Sequence, residues 1–147
     1  MPHFTLQISA SGPIVNAIVA VSQPRAAALK AAGGTIPAPV TIRALIDTGA
    51  SSTCIDPSVL TQLQLPQRGA TMVNTPTTGA TPVSIAQYDV ALVIPAGKGD
   101  QPLVFQTIPV IACELLQAQG IHALIGRDIL AKCVLMYNAA SSFTIAY

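Results

Sequence analysis

The chain is short of charge: Asp, Glu, Lys and Arg make up 9% of its 147 residues, Trp is absent, and aromatics reach only 4%. With a net charge of +1 it has neither a basic face to neutralise phosphates nor a platform of rings for stacked bases, so no nucleic acid partner is expected. A membrane helix needs about 18 consecutive apolar residues. Asn16, Ser22, Gln23, Pro24 and Arg25 break up the best candidate run, so no membrane partner is expected. Met1-Pro2-His3 offers no basic region ahead of an apolar core, which argues against a signal peptide. The two histidines, His3 and His122, share no ligand spacing with Cys54, Cys113 or Cys133, so neither a metal nor another cofactor is expected. The cysteines are odd in number and widely spaced, and read as reduced core residues of a cytoplasmic protein, with one disulfide allowed but not implied. Neither a glycine-rich phosphate loop nor a nucleophile elbow occurs.

What the chain has is apolar content, 51%, enough to fill the core of one domain over residues 1–147. Phe4 to Ser9 alternates apolar and polar residues, the period of a half-buried strand, and Ile14 to Val21 is apolar on both faces apart from Asn16. With a Ser-Gly-Pro turn between them, the two are expected to form a hairpin. The Ala-, Gly- and Pro-rich stretch at about 22–38 reads as a short helix opening on Pro24 or a mobile surface loop. Val40 to Ile46 is a strand. Asp56-Pro57 is a helix start, with Asp56 as the N-cap and Val59, Leu60 and Leu63 turned inward over Ser58–Leu65. Two extended runs follow between Arg68 and Ile94, joined by the polar turn Asn74-Thr-Pro-Thr-Thr-Gly-Ala80, so this hairpin should stand away from the core. Pro95–Gln101 is a turn, Leu103–Ile111 a strand, Glu114–Gln119 one helical turn, and Phe143–Tyr147 a terminal strand.

The stretch Ala44-Leu45-Ile46-Asp47-Thr48-Gly49-Ala50 runs apolar residues straight into an aspartate. A carboxylate at the tip of a buried strand must be hydrogen-bonded or share a proton. Thr48 supplies a hydroxyl, Gly49 lets the backbone fold closely, and Ala50, Ser51 and Ser52 leave room for a substrate. The other five of the six acidic residues have structural readings. Asp56 caps a helix, Asp128 sits at a helix start where the dipole favours it, Asp89 and Asp100 are in polar or turn contexts, and Glu114 begins a helical turn.

The Asp-Thr-Gly-Ala segment after an apolar pair, together with Ala123-Leu124-Ile125-Gly126-Arg127-Asp128-Ile129-Leu130, resembles the two signatures of retropepsin-like aspartic proteases. The resemblance spans Ala44 to Leu130. It implies a mainly β fold, a single-lobe acid-protease closed β-barrel with one or two short helices, in which Leu124, Ile125, Gly126 and Arg127 pack behind the catalytic loop. It further implies that Asp47 is catalytic, with Thr48, Gly49 and Ala50 in support, and that the hairpin at about 71–88 is a flap whose tip, Thr77, Thr78, Gly79 and Ala80, closes over an extended peptide. The mechanism needs two aspartates around one water, and no internal repeat offers a second copy. A homodimer sharing two Asp47 carboxylates is therefore implied, with the Thr48 hydroxyl reaching the partner loop and the Phe4–Ser9 and Phe143–Tyr147 strands as intersubunit edges. The implied activity is endopeptidase cleavage of extended peptides between apolar residues; the alternatives are a non-catalytic peptide-binding or dimerisation module on the same fold and a structural β domain with Asp47 as a turn residue. Two departures are plain: Ser51 stands where retroviral enzymes carry the acidic partner of Arg127, which must then bond elsewhere or to backbone carbonyls, and the flap tip has Gly79 as its one glycine.

Overall fold

The structure is a computed structural model describing residues 1–97, 99–115 and 117–147. Its strands are β1 (His3–Gln7), β2 (Ile14–Val21), β3 (Val40–Ile46), β4 (Cys54–Ile55), β5 (Gly69–Val73), β6 (Val83–Ile94), β7 (Leu103–Ala112), β8 (Ala123–Ile125), β9 (Val134–Asn138) and β10 (Ser142–Ala146). The α-helices are α1 (Gln23–Ala31), α2 (Pro57–Gln62) and α3 (Arg127–Leu130), and Gln117–Gln119 makes one 3-10 turn. Leu116, within the expected Glu114–Gln119 turn, and Lys98, within the expected Pro95–Gln101 turn, lie outside the described residues. Among the described residues no helix is long and apolar enough to cross a membrane.

Six strands close into a barrel in the order β2-β3-β8-β4-β7-β6, with β6 returning to pair with β2 from Ile18↔Val93 to Val21↔Val90. Closure leaves these six without a free edge. Alternate residues of each strand point inward: Val15, Ala17 and Val19, then Ile42, Ala44 and Ile46, then Val90, Leu92 and Ile94, with Ala123 and Ile125, all buried. Each fully buried Val, Leu or Ile contributes about 1.5–3 kcal/mol relative to an exposed one, so this interior is the main source of stability. β5 continues the sheet beyond β6, and the two form a hairpin in register from Gly69↔Gln87 to Val73↔Val83.

The expected hairpin of the first two strands does not form. β1 pairs along its whole length with β10, while β2 pairs with β3 and β6. Only a bridge between Ser9 and Gly12 joins the segment between them, and Gly12, at φ 101°, turns the chain away. Alternation identifies a strand, but not its partner. β10 is also flanked on its other side by β9, which was not anticipated, so in the three-stranded sheet β1-β10-β9 the free edges are β1 and β9 rather than the last strand. Phe4, Phe143 and Ile145 are buried beneath this sheet.

Of the two readings for residues 22–38, the helix holds: α1 starts with Pro24 in its first turn and buries no residue completely. α2 begins as expected, with Asp56 accepting from the Ser58 N–H and Val59, Leu60 and Leu63 buried. Asp56 is itself buried and also receives the Ser58 hydroxyl at 2.7 Å, Gln117 Nε2 at 2.7 Å and the Leu115 N–H at 3.2 Å. Burial pushes its carboxyl up, but these bonds, led by that from Ser58, outweigh it and hold it below the ordinary carboxylate range. A depressed folded value stabilises the protein fully above the unfolded value, about 3.9, and that stabilisation is lost as pH falls toward the folded value. Asp56→Asn keeps the cap acceptor and removes the titration. Its urea midpoint should therefore fall less steeply than that of the wild type below about pH 5, and parallel curves would contradict this account. Asp56→Ala should destabilise by about 1–2 kcal/mol at neutral pH.

Candidate active site

β3 brings Ile42, Ala44 and Ile46 into the barrel and leaves it at Asp47, whose N–H bonds to Ile125 O at 3.0 Å, one step beyond the parallel β3–β8 ladder. The chain then folds back on the carboxylate. Asp47 Oδ1 accepts from the Gly49 N–H at 2.8 Å and from the Ala50 N–H at 3.3 Å, an Asx-type turn in which a short side chain replaces a backbone acceptor. A Cβ on residue 49 would lie 3.1 Å from Oδ1, so glycine lets this turn close. Among the described residues Asp47 Oδ2 and the Thr48 hydroxyl have no hydrogen-bond partner. Asp47 is half-buried and Thr48 exposed.

The second signature braces the loop from behind. β8 lies between β3 and β4, with Ile125 and Ala123 buried and Leu124 half-buried opposite both Leu45 and Cys54. At Gly126 an added Cβ would meet the Ser52 carbonyl carbon at 2.6 Å and its oxygen at 2.8 Å. Gly126 has φ −89°, so glycine is required here by proximity to the loop and not by a left-handed turn. Arg127, lacking an acid at position 51, donates from Nη1 to Thr48 O at 2.8 Å and Gly49 O at 3.1 Å, while its N–H bonds to Ala50 O at 2.9 Å. Of the two expectations for this arginine, the structure shows the one with backbone carbonyls as acceptors.

Sequence reasoning missed one part of the brace. Thr53, fully buried, donates its hydroxyl to Asp128 Oδ1 at 2.8 Å and its N–H to Asp128 Oδ2 at 3.0 Å, and its hydroxyl accepts from the Gly126 N–H at 3.1 Å. Asp128 thus locks the loop exit to α3 in addition to lying at the helix start. The signal was available: Thr53 is a polar residue ahead of two buried strand residues, and such a residue needs partners.

Thr77, Thr78, Gly79 and Ala80 lie at the tip of the β5–β6 hairpin, exposed except for the half-buried Thr78. Hydroxyls tie this tip: the Thr75 N–H bonds to Thr78 Oγ1 at 2.8 Å, the Thr78 N–H bonds to Thr75 O at 3.0 Å, and Gly79 takes φ 60°. One concave surface of about 360 Å³ is bounded by Ser22, Arg25, Arg68 and Asp89, and one of about 380 Å³ by His3, Leu6, Pro95 and Asp100; Asp47 lines neither.

A closed six-strand barrel carrying one Asp-Thr-Gly turn, braced by Gly126-Arg127-Asp128, defines the single-lobe, retropepsin-like class of acid-protease fold. The family model described as aspartyl protease matches residues 29–129, from α1 through the Asp47 loop and hairpin to α3. The chain belongs to the aspartyl protease family. Among solved structures it is similar to a retropepsin-like aspartic protease from Rickettsia conorii, with a TM-score of 0.60 and 15% identity over 99% of this chain and 90% of that one. At that identity the likeness is one of fold. A search of curated proteins gives no match.

Replacing Thr53 by Val preserves shape but leaves the buried Gly126 N–H without a partner and removes one of the two bonds to Asp128 Oδ1, which keeps that from the Ile129 N–H. This should destabilise by about 2–3 kcal/mol, whereas Thr53→Ser should cost under about 1.5 kcal/mol. Equal losses in chemical denaturation would show that the methyl group, not the hydroxyl, holds the brace.

Proposed function

We propose that the chain is an aspartic endopeptidase acting as a homodimer, with one water held between the Asp47 carboxylates of two copies. The observation that carries this reading is the state of the carboxylates. Asp47 is held in a preformed turn through Oδ1 alone, with Oδ2 unbonded among the described residues. Asp56 and Asp128 are committed to backbone and hydroxyl partners, and Asp89 pairs with Arg68 at 2.9 Å. Asp100 and Glu114 lie in loops on other elements. One chain therefore offers one half of a dyad. A second copy related by a twofold axis supplies the other half, and the unbonded Thr48 hydroxyl then reaches the partner loop. The open surface around Asp47 gains its second wall in the same step.

In the dimer one carboxyl is protonated and one ionised, since two like charges about 3 Å apart cannot both ionise. The ionised carboxylate takes a proton from the water as it attacks the scissile carbonyl, and the protonated one donates to the carbonyl oxygen. The resulting tetrahedral diol collapses as a proton passes to the leaving amine. Thr48, Gly49 and Ala50 fix the carboxylate, while Leu124, Ile125, Gly126 and Arg127 fix the loop. The β5–β6 hairpin serves as the flap, its tip residues Thr77, Thr78, Gly79 and Ala80 meeting the backbone of an extended peptide. Few charges around the loop favour apolar side chains on either side of the cut.

A second reading, a non-catalytic peptide-binding module, draws support from the hairpin tip. Threonine hydroxyl bonds tie it, where a glycine-rich tip would flex. The two readings differ on Asp47→Asn, which fills the same volume but cannot exchange the proton. The protease reading expects hydrolysis of a peptide library to fall by about 10³-fold or more with folding unchanged; wild type that binds peptides without cutting them favours the binding module. Specific activity should also fall cooperatively on dilution through the dimer dissociation range. Constant activity at concentrations where sizing shows only monomer would refute the shared site.

A further inference from the structure

Cys54 and Cys113 are distant in sequence but neighbours in the barrel. β4 runs parallel to β7 with Cys54 opposite Ile111 and Ile55 opposite Ala112, and the ladder continues past β7, where the Cys113 N–H donates to Ile55 O at 3.1 Å. Residues two apart on a strand share a face, so Cys113 turns to the side on which Cys54 lies. Neither thiol is in a disulfide. Cys54 is 7% exposed, whereas Cys113 is only partly buried and open to a small reagent. Cys54 beside it holds the Cys113 thiol down to about 7, against the opposing effect of burial. The neighbouring Cys113, then burial and the charges of Asp128 and Asp47, push Cys54 up. One sulfur is thus a thiolate near neutrality and the other a thiol beside it. Cys133 differs: burial raises it, and its thiol donates to Ile129 O at 3.7 Å.

We propose that Cys113 and Cys54 form an oxidation site for small peroxides, Cys113 attacking and Cys54 resolving, which closes a reversible disulfide between β4 and β7. The Cys113 thiolate attacks one peroxide oxygen and the O–O bond breaks. Cys113 becomes a sulfenic acid, and hydroxide leaves (an alkoxide from an alkyl peroxide). The sulfur of Cys54 then attacks the sulfenic sulfur, its proton passes to the departing hydroxide, and water leaves. Two thiols are oxidised to one disulfide, and one hydrogen peroxide is reduced to two waters.

The geometry also gives the bond a consequence. With parallel strands about 4.8 Å apart and a rise of about 3.3 Å per residue, diagonal neighbours two residues on have Cα atoms about 8 Å apart, beyond the limit of about 7 Å for bridging without backbone movement. β4 has two residues and follows directly on the Asp47 loop, where Thr53 and Asp128 hold it, so a pull on Cys54 strains that brace. Oxidation also removes the proton that Cys54 Sγ donates to Ser52 O at 3.5 Å. The disulfide is therefore strained, readily reduced by small thiols, and coupled to the loop. Its formation is independent of the protease reading; only the effect on hydrolysis rests on it.

The test treats the purified full chain with hydrogen peroxide at a few equivalents and maps its peptides without reduction. The expected product is a crosslinked pair of peptides carrying Cys54 and Cys113, absent in Cys113→Ala and unaffected in Cys133→Ser, and reversed by dithiothreitol. Cys113 found instead as sulfinic acid, or paired to Cys133 or to a second chain, overturns the proposal. Peptide hydrolysis by the crosslinked form should fall at least tenfold and recover on reduction; unchanged hydrolysis by a fully crosslinked sample overturns the coupling to the loop. A chain that cuts no peptide before oxidation contradicts the protease reading alone, and the peptide map decides the thiol site in either case.

Discussion

A methyl group at position 126 would press within 2.6 Å of the Ser52 carbonyl carbon, and that steric limit holds the two halves of the site in one arrangement. Because the backbone at 126 comes so close, the N–H of Arg127 reaches Ala50 O and its guanidinium reaches the Thr48 and Gly49 carbonyls. The Gly126 N–H, in turn, meets the Thr53 hydroxyl that Asp128 also holds. The Asp47 turn thus has its outward carbonyls and its exit strand fixed by one four-residue helix start. A loop of small residues has little packing of its own, and these bonds substitute for it.

The scarcity of charge sharpens the assignment. With six acidic residues in the chain, each carboxylate can be followed to its partners, and those of Asp56, Asp89 and Asp128 are engaged. Asp47 differs in that its bonds come from its own turn and leave one oxygen outward. The one fully buried bond of the brace, from the Gly126 N–H to the Thr53 hydroxyl, lies in the apolar interior, where a bond is stronger and an unpaired group costly.

Much of this was legible in the sequence because it depends on local order. The turn chemistry of Asp47-Thr48-Gly49, the cap at Asp56-Pro57, and the inward Val59, Leu60 and Leu63 are set by neighbours within a few residues. The extended run ending at Ile94 and the strand Leu103–Ile111 were equally plain. What failed was pairing across the chain. The period of Phe4, Leu6 and Ile8 says nothing of whether β2 or β10 lies alongside, and β9, whose residues are mostly exposed, has no buried stripe to announce it. The partners of Asp128 and the meeting of Cys54 with Cys113 come from closure of the barrel, which sets residues about 60 to 75 positions apart side by side. The carbonyl acceptors of Arg127 were foreseen as one of two options because the acid it would otherwise pair with is visibly Ser51.

The central claim is that one site needs two Asp47 carboxylates from two copies. Mixing wild type with Asp47→Asn at fixed total chain concentration, after exchange of subunits, tests it most directly. If both carboxylates are required, activity follows the square of the wild-type fraction, and an equal mixture retains about one quarter of the full activity, the share of wild-type pairs in random twofold dimers. Activity proportional to the wild-type fraction, about one half at equal mixing, would mean that each chain works with its own aspartate and would contradict the account.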